Sequence, residues 1–277
     1  MKRSFFCFFF FFLLGTSYSQ TIPRLPSKPK QEEKKPAPKP APKPAPRPQP
    51  KVVINNDRDG DGLSNEVDRC PDQKGPVSNY GCPEAATTSY ASVSIGNQVW
   101  MQQNLAVDRF RNGDLIPEVR SAEEWKRYGA QGKPCWCYYD NDPSNGSTYG
   151  KLYNWYAVND PRGLAPKGWH IPSDLEWTIL TDYLGGEKVA GGKLKSRSYW
   201  ESPNAGATNS SGFAGLPGGL RGNLGAFYYQ GYGGYWWSAT EFNATSAWRR
   251  TLYYRYADAL RNNLNKGDGL SVRCVRD

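Results

Sequence analysis

Gly168-Trp169-His170-Ile171-Pro172-Ser173-Asp174-Leu175-Glu176-Trp177 is the stretch whose reading decides the fold. Ser173-x-x-Glu176 is a capping box, in which hydroxyl and carboxylate satisfy the free N–H groups of a helix start. The helix it opens runs from Asp174 to Leu184, carries Leu175, Trp177, Ile179, Leu180 and Leu184, and stops at Gly185-Gly186. Upstream, Ser121-x-x-Glu124 opens a second helix in the same way. Ser92 to Met101 alternates as a hairpin that turns at Gly96-Asn97. Everything after the Asp174 helix reads as short strands and loops. The expectation is an α+β domain over residues 88–277, with two short helices and irregular antiparallel strands, large enough to bury a core.

Five further runs accompany the opening stretch. They are Trp100-Met101-x-x-Asn104-Leu105, Tyr149-Gly150-x-Leu152-Tyr153-Asn154-Trp155-Tyr156-Ala157 and Gly212-Phe213-Ala214-x-Leu216-Pro217-Gly218-Gly219. The last two are Trp236-Trp237-Ser238-Ala239-Thr240 and Ser271-Val272-Arg273-Cys274-Val275. Together they resemble the Fibrobacter succinogenes major paralogous (FISUMP) domain, from about residue 92 to the C-terminus. The resemblance implies a fold similar to C-type lectins and formylglycine-generating enzymes, on envelope-attached or secreted proteins, and says more about fold than activity. Many members carry cysteine where this chain has Ala165. Beside that departure, Cys137 is expected to pair with Cys274 and leave Cys135 free; a pairing of Cys135 with Cys274 is nearly as well supported, and spacing alone does not decide between them.

Outside this domain, Asp57-Arg58-Asp59-Gly60-Asp61-Gly62-Leu63-Ser64-Asn65-Glu66-Val67-Asp68 has the spacing of a loop that wraps a hard cation. Asp57, Asp59, Asp61, Asn65 and Asp68 supply side-chain oxygens, Leu63 a backbone carbonyl, and Gly62 the sharp turn. Aspartate at the twelfth position reaches less far than glutamate, so modest affinity is expected. Cys70 and Cys82 flank a segment too short for its own core, which points to a disulfide worth about 3 kcal/mol. Residues 55–84 resemble a single thrombospondin type 3 repeat, which implies structural calcium on Asp57, Asp59, Asp61, Asn65 and Asp68.

The N-terminus reads as a secretory signal over 1–19: basic Lys2 and Arg3, an apolar run from Phe5 to Leu14, and Ser17-Tyr18-Ser19 before the cut. The apolar run is too short to span a bilayer comfortably, so no transmembrane span is expected after cleavage. Residues 20–53 are expected to form a Pro/Lys-rich disordered linker, in which the Pro-Ala-Pro-Lys repeat favours an extended polyproline strut; residues 26–50 would reach about 75 Å at roughly 3.1 Å per residue. The net charge of +9 sits in these two segments. Lys2 and Arg3 contribute, then nine basic against two acidic residues over 20–51, while 52–277 balance at 24 of each sign. A charge confined to a tail, on an exported chain, argues against nucleic acid and fits a cell-wall polyanion.

Among residues that carry chemistry, His170 is the one histidine, which excludes histidine triads and multi-histidine metal sites. Arg221 and Arg273 lie inside motifs and read as buried anchors. Tyr228, Tyr229, Tyr232, Tyr235, Trp236 and Trp237 lie in or beside a glycine-rich stretch, Gly222 to Gly234, and rings on loops suit the apolar faces of sugars. At least one of Trp236 and Trp237 belongs in the core. The functional expectation is an exported, calcium-stiffened, non-enzymatic module, in the periplasm, on the outer surface or outside the cell. Its lectin-like head would bind polysaccharide, glycan or a surface protein. The alternatives are an enzyme of the formylglycine-generating type, with Cys135 and Cys137 as copper ligands, or a purely structural scaffold.

Overall fold

Strand β1 (Ser92–Ile95) turns at Gly96, φ +59°, into β2 (Gln98–Met101), with Ile95 paired to Gln98 across the turn. This is the hairpin its sequence asks for. The computed structural model of the protein describes residues 56–82 and 90–277. The signal read over 1–19 and the linker over 20–53 lie outside those residues, as do the outermost residues of the calcium repeat.

After the hairpin come α1 (Ala122–Ala130), β3 (Trp136–Cys137), α2 (Gly146–Tyr149), β4 (Leu152–Asn154), α3 (Trp155–Val158) and β5 (Trp169–His170). Next are α4 (Asp174–Tyr183), α5 (Glu187–Leu194), β6 (Gly218–Arg221), β7 (Phe227–Gln230) and β8 (Gly233–Glu241). The chain closes with β9 (Ser246–Tyr253), β10 (Ala259–Asn265), β11 (Gly269–Leu270) and β12 (Val275–Arg276). Three sheets result, ordered β1-β2-β12-β5, β10-β9-β8 and β3-β4-β11-β6-β7. All paired strands run antiparallel, and β12 lies between β2 and β5, so the two ends of the domain are zipped together. No helix among the described residues is long and apolar enough to cross a membrane.

The expectation of two helices needs correction. A third of comparable length, α5, follows α4 after only Leu184, Gly185 and Gly186, the two glycines at positive φ. Its sequence holds Gly191-Gly192, which reads as loop. The structure requires both glycines, because a Cβ at Gly191 would collide with the Asp258 carbonyl and one at Gly192 with the Gly206 carbonyl. Close approach to the β9–β10 connection at Asp258 and to the α5–β6 segment at Gly206 overrides helix propensity here. The two capping motifs also differ. Ser173 and Glu176 form the full reciprocal box. At α1, Ser121 caps alone, and the Glu124 carboxylate pairs instead with Arg127 at 2.9 Å.

An aromatic core explains the motifs. Trp100, Trp177, Phe213 and Trp236 are buried with ring centroids 4.7 to 5.9 Å apart. Eight of the ten tryptophans donate their indole N–H to a carbonyl or amide oxygen, so their polar ends are satisfied within the core. Asn104 is a hub. Its Oδ1 accepts from Trp236 Nε1 and from two nitrogens of Arg273, while its Nδ2 donates to the Tyr149 carbonyl and Ser271 Oγ. Arg273 also donates to the Met101 and Phe213 carbonyls. Arg221 donates to the carbonyls of Val119, Arg120 and Gly225. Both arginines are anchors, as the sequence suggested.

The cysteines are a second correction. Cys70 and Cys82 are joined, but Cys135, Cys137 and Cys274 are free thiols. Cys137 packs with Val119, Trp125 and Leu152, whereas Cys274 packs in a different cluster with Met101, Leu105 and Val272. The expected Cys137–Cys274 bridge is absent because its two ends serve separate parts of the core.

Candidate functional site

In the small N-terminal module, Asp57, Asp59 and Asp61 bring carboxylate oxygens within 4.8 Å of one another. Backbone geometry holds them there. Asp57 Oδ1 accepts from Gly60 N at 2.7 Å and its Oδ2 from Gly62 N at 3.0 Å. Asp61 accepts from Leu63 N at 2.9 Å and Gly75 N at 3.2 Å. These bonds, that from Gly62 foremost, hold Asp57 below the usual carboxylate range. Burial, and then the charges of Asp61, Asp68 and Asp57, push Asp59 up. Asp68, outside that group of three, is near enough for its charge to act on Asp59, and its Oδ1 accepts from Cys70 N at 2.7 Å. Asp59 Oδ2 and Asp68 Oδ2 are buried with no hydrogen-bond partner. Two orphaned carboxylate oxygens beside two further carboxylates are oxygen donors of the kind a hard divalent cation takes. Asn65 is placed otherwise: its Oδ1 accepts from Arg58 N and its Nδ2 donates to Asn56. Leu63 appears through its N–H on Asp61.

The module touches the larger domain next to this loop. Arg69, adjoining Asp68, pairs with Asp114 at 3.2 Å and lies over the Tyr80 ring. Asp114 pairs with Arg162 as well. Asp114 is held below its ordinary range, by Asn112 first and then by the two arginines.

The aromatic residues divide. Tyr228, Tyr229 and Tyr232 are 46 %, 49 % and 42 % exposed. Tyr235 and Trp236, expected as ligand residues, are 4 % and 1 % exposed and belong to the core. The reason is strand alternation broken by burial on both faces: β8 is covered on both sides over its first six residues. Sequence reading missed the other half of the surface. Tyr253, Tyr254 and Tyr256, from the end of β9 and the connection after it, extend a chain of ring contacts. Tyr229 meets Tyr228 at 5.9 Å and Tyr253 at 6.3 Å, Tyr253 meets Tyr254 at 5.3 Å, and Tyr254 meets Tyr232 at 5.2 Å. Tyr253 stacks near Tyr256 at 6.3 Å. The Arg-Tyr-rich run Tyr253-Tyr254-Arg255-Tyr256 was the signal that could have found them.

The remaining reactive groups are enclosed. Burial pushes the Cys137 and Cys274 thiols up to about 12 and Cys135 higher still, so all three are protonated at neutral pH. Lys195 is fully buried and donates to the carbonyls of Ala205, Tyr253 and Tyr256; burial lowers it to about 8. His170 places Nδ1 2.9 Å from Asp277 and Nε2 2.6 Å from Glu176. Burial opposes charge on His170, but carboxylates beside both ring nitrogens favour the imidazolium, in which both nitrogens donate, and raise its pKa.

A domain built on Trp100, Asn104, Trp236 and Arg273, with the sequence runs that carry them, decides the relationship. The match to the Fibrobacter succinogenes major domain family covers residues 93–276. The chain belongs to this family. No curated protein and no solved structure matches the chain. Within this family domain, the Asn104 hub and the Arg273 anchor account for why the motif residues are of the types they are. The Asp57–Asp68 loop lies outside the matched residues.

Proposed function

We propose that this protein is an exported recognition module without turnover: a calcium-stiffened stalk that presents a family domain for binding glycan or a surface protein. The observation that carries the reading is the exposed tyrosine surface at Tyr228, Tyr229, Tyr232 and Tyr256. It projects from a core whose arginines, lysine and thiols are already saturated or enclosed. Connected rings at a surface offer apolar area and hydroxyls at low entropic cost, a combination that suits pyranose faces and protein partners.

Calcium in this reading is held by Asp57, Asp59, Asp61 and Asp68, the residues with orphaned or mutually repelling oxygens. Its role is structural, and Arg69 carries that rigidity to the head through Asp114. The C-type-lectin-like assignment of the head rests on the sequence motifs; the paired terminal strands and short antiparallel sheets agree with it. Export, with the basic linker as a strut against a cell-wall polyanion, rests on the N-terminal composition alone.

Retention of the full chain on insoluble polysaccharides and on envelope preparations tests the recognition surface. Wild type is expected to be held and the Tyr228→Ala, Tyr229→Ala, Tyr232→Ala triple variant to pass through. Equal retention of both proteins would contradict the reading.

A further inference from the structure

A separate concavity lies beside the tyrosine surface, an open cleft of about 430 Å3, a size suited to a small ligand. Its walls come from segments distant in sequence: Gln102 and Gln103 after β2, Ser147 and Thr148 on α2, and Tyr199 after α5. Among the described residues, every one that lines it is uncharged. We propose that this cleft seats one unit of a neutral carbohydrate. The proposal deepens the recognition reading by assigning the ligand class and a second contact region.

The side chains have the hydrogen-bonding capacity a polyol needs. Gln102 Nε2 donates to the Gly212 carbonyl, which fixes the amide and leaves Oε1 as an acceptor. Ser147 Oγ donates to the Ser144 carbonyl and retains its lone pairs. The side chains of Gln103 and Thr148 make no bond within the protein among the described residues. Paired amide donors and acceptors match neighbouring hydroxyls, which both give and take a hydrogen bond. A phosphate or carboxylate ligand would find no cation here.

Two backbone outliers converge on the same cleft. Tyr199 has φ +73° although it is 61 % exposed, and Ala214 has φ +54°, held by its N–H on Asn209 Oδ1. An exposed tyrosine gains little from burial to offset left-handed backbone, so its position answers to something outside the core. Its ring stands edge-on to Tyr149 at 6.2 Å, which presents an aromatic wall. The cleft is tied to the tyrosine surface through backbone. Glu201 N donates to the Gly231 carbonyl and Gly231 N to the Pro217 carbonyl, linking both cleft walls to the turn that bears Tyr229 and Tyr232.

Calorimetric titration of the full chain tests this, with neutral glucose, xylose and mannose hexasaccharides as probes and oligogalacturonate as the anionic comparison. At least one neutral probe is expected to bind and oligogalacturonate to bind none. Gln103→Ala with Thr148→Ala is expected to weaken binding at least tenfold with an unchanged melting temperature. Gln103→Glu, which keeps the volume, is expected to weaken it as well. Wild-type affinity in both cleft variants, with loss only in Tyr228→Ala/Tyr229→Ala, overturns the cleft and leaves the tyrosine surface standing. No binding of any neutral probe, or tighter binding of oligogalacturonate, also overturns the cleft. Polysaccharide retention then decides separately whether the recognition reading survives.

Discussion

The two described parts of the molecule handle charge in opposite ways. In the 90–277 domain most buried charges are cations: backbone carbonyls or an amide oxygen surround Arg221, Arg273 and Lys195, Arg250 pairs with Asp174, and Asp268 is the one buried carboxylate among the described residues of that domain. In the 56–82 module the gathered charges are carboxylates that face one another, two of their oxygens buried without partners. Arg221, Arg273 and Lys195 are each met by several acceptors, although Arg249 Nε and Arg250 Nε in the same domain lack one. The module's carboxylates are repulsive until something positive joins them. The same contrast appears in packing. The domain is built on a tryptophan core, whereas the module has Cys82 as its one buried hydrophobic residue and depends on a disulfide.

The largest way to break this comparison is to spoil the side whose cations are met by acceptors. Arg273→Met removes the Arg273 bonds to the Met101 and Phe213 carbonyls and two of the three donors to Asn104 Oδ1, and is expected to cost about 3–5 kcal/mol by urea denaturation. A loss below about 1 kcal/mol would mean the anchor is incidental. Next is Cys70→Ala/Cys82→Ala, expected to destabilise the module by about 3 kcal/mol while the tryptophan-reported transition of the domain stays put. Removing calcium comes third, expected to lower module stability by about 2–3 kcal/mol when the ion had been present at a hundred times its dissociation constant.

The smallest effect concerns pH. Burial disfavours the charged His170 ring, but the hydrogen bonds and charges of Glu176 and Asp277 outweigh it and raise its pKa above the ordinary value. The stability it lends is therefore fully present below about pH 6.5 and lost as pH rises through the raised folded value. Solvent reaches more than a third of the side chain, which keeps the effect small. Melting temperatures from pH 5.5 to 8.5 should fall slightly more in wild type than in His170→Gln.

Much of this was legible from sequence where local chemistry decides. The Ser173–Glu176 box, the Gly96 turn, the carboxylate spacing and the Cys70–Cys82 closure each depend on residues close along the chain. What stayed hidden depends on distant partners. Gly191 and Gly192 form a helix because the 206 and 257–258 backbones press against them. Glu124 leaves its cap for Arg127, and Cys137 and Cys274 fall into different core clusters. Tyr235 and Trp236 sit beside Tyr232 in sequence, yet β8 is enclosed and its preceding turn is open. Tyr253 to Tyr256 meet that turn because the β8–β9 pairing, continued by Tyr254 N on the Tyr232 carbonyl, brings distant segments together.

The most direct test of a module completed by a cation beside a domain complete without one is hydrogen–deuterium exchange of the full chain, with and without millimolar calcium. Amides over 57–68 are expected to exchange markedly more slowly with calcium, and those of β6 to β9 to exchange at the same rate in both. Indifference of the 57–68 amides to calcium would contradict the account.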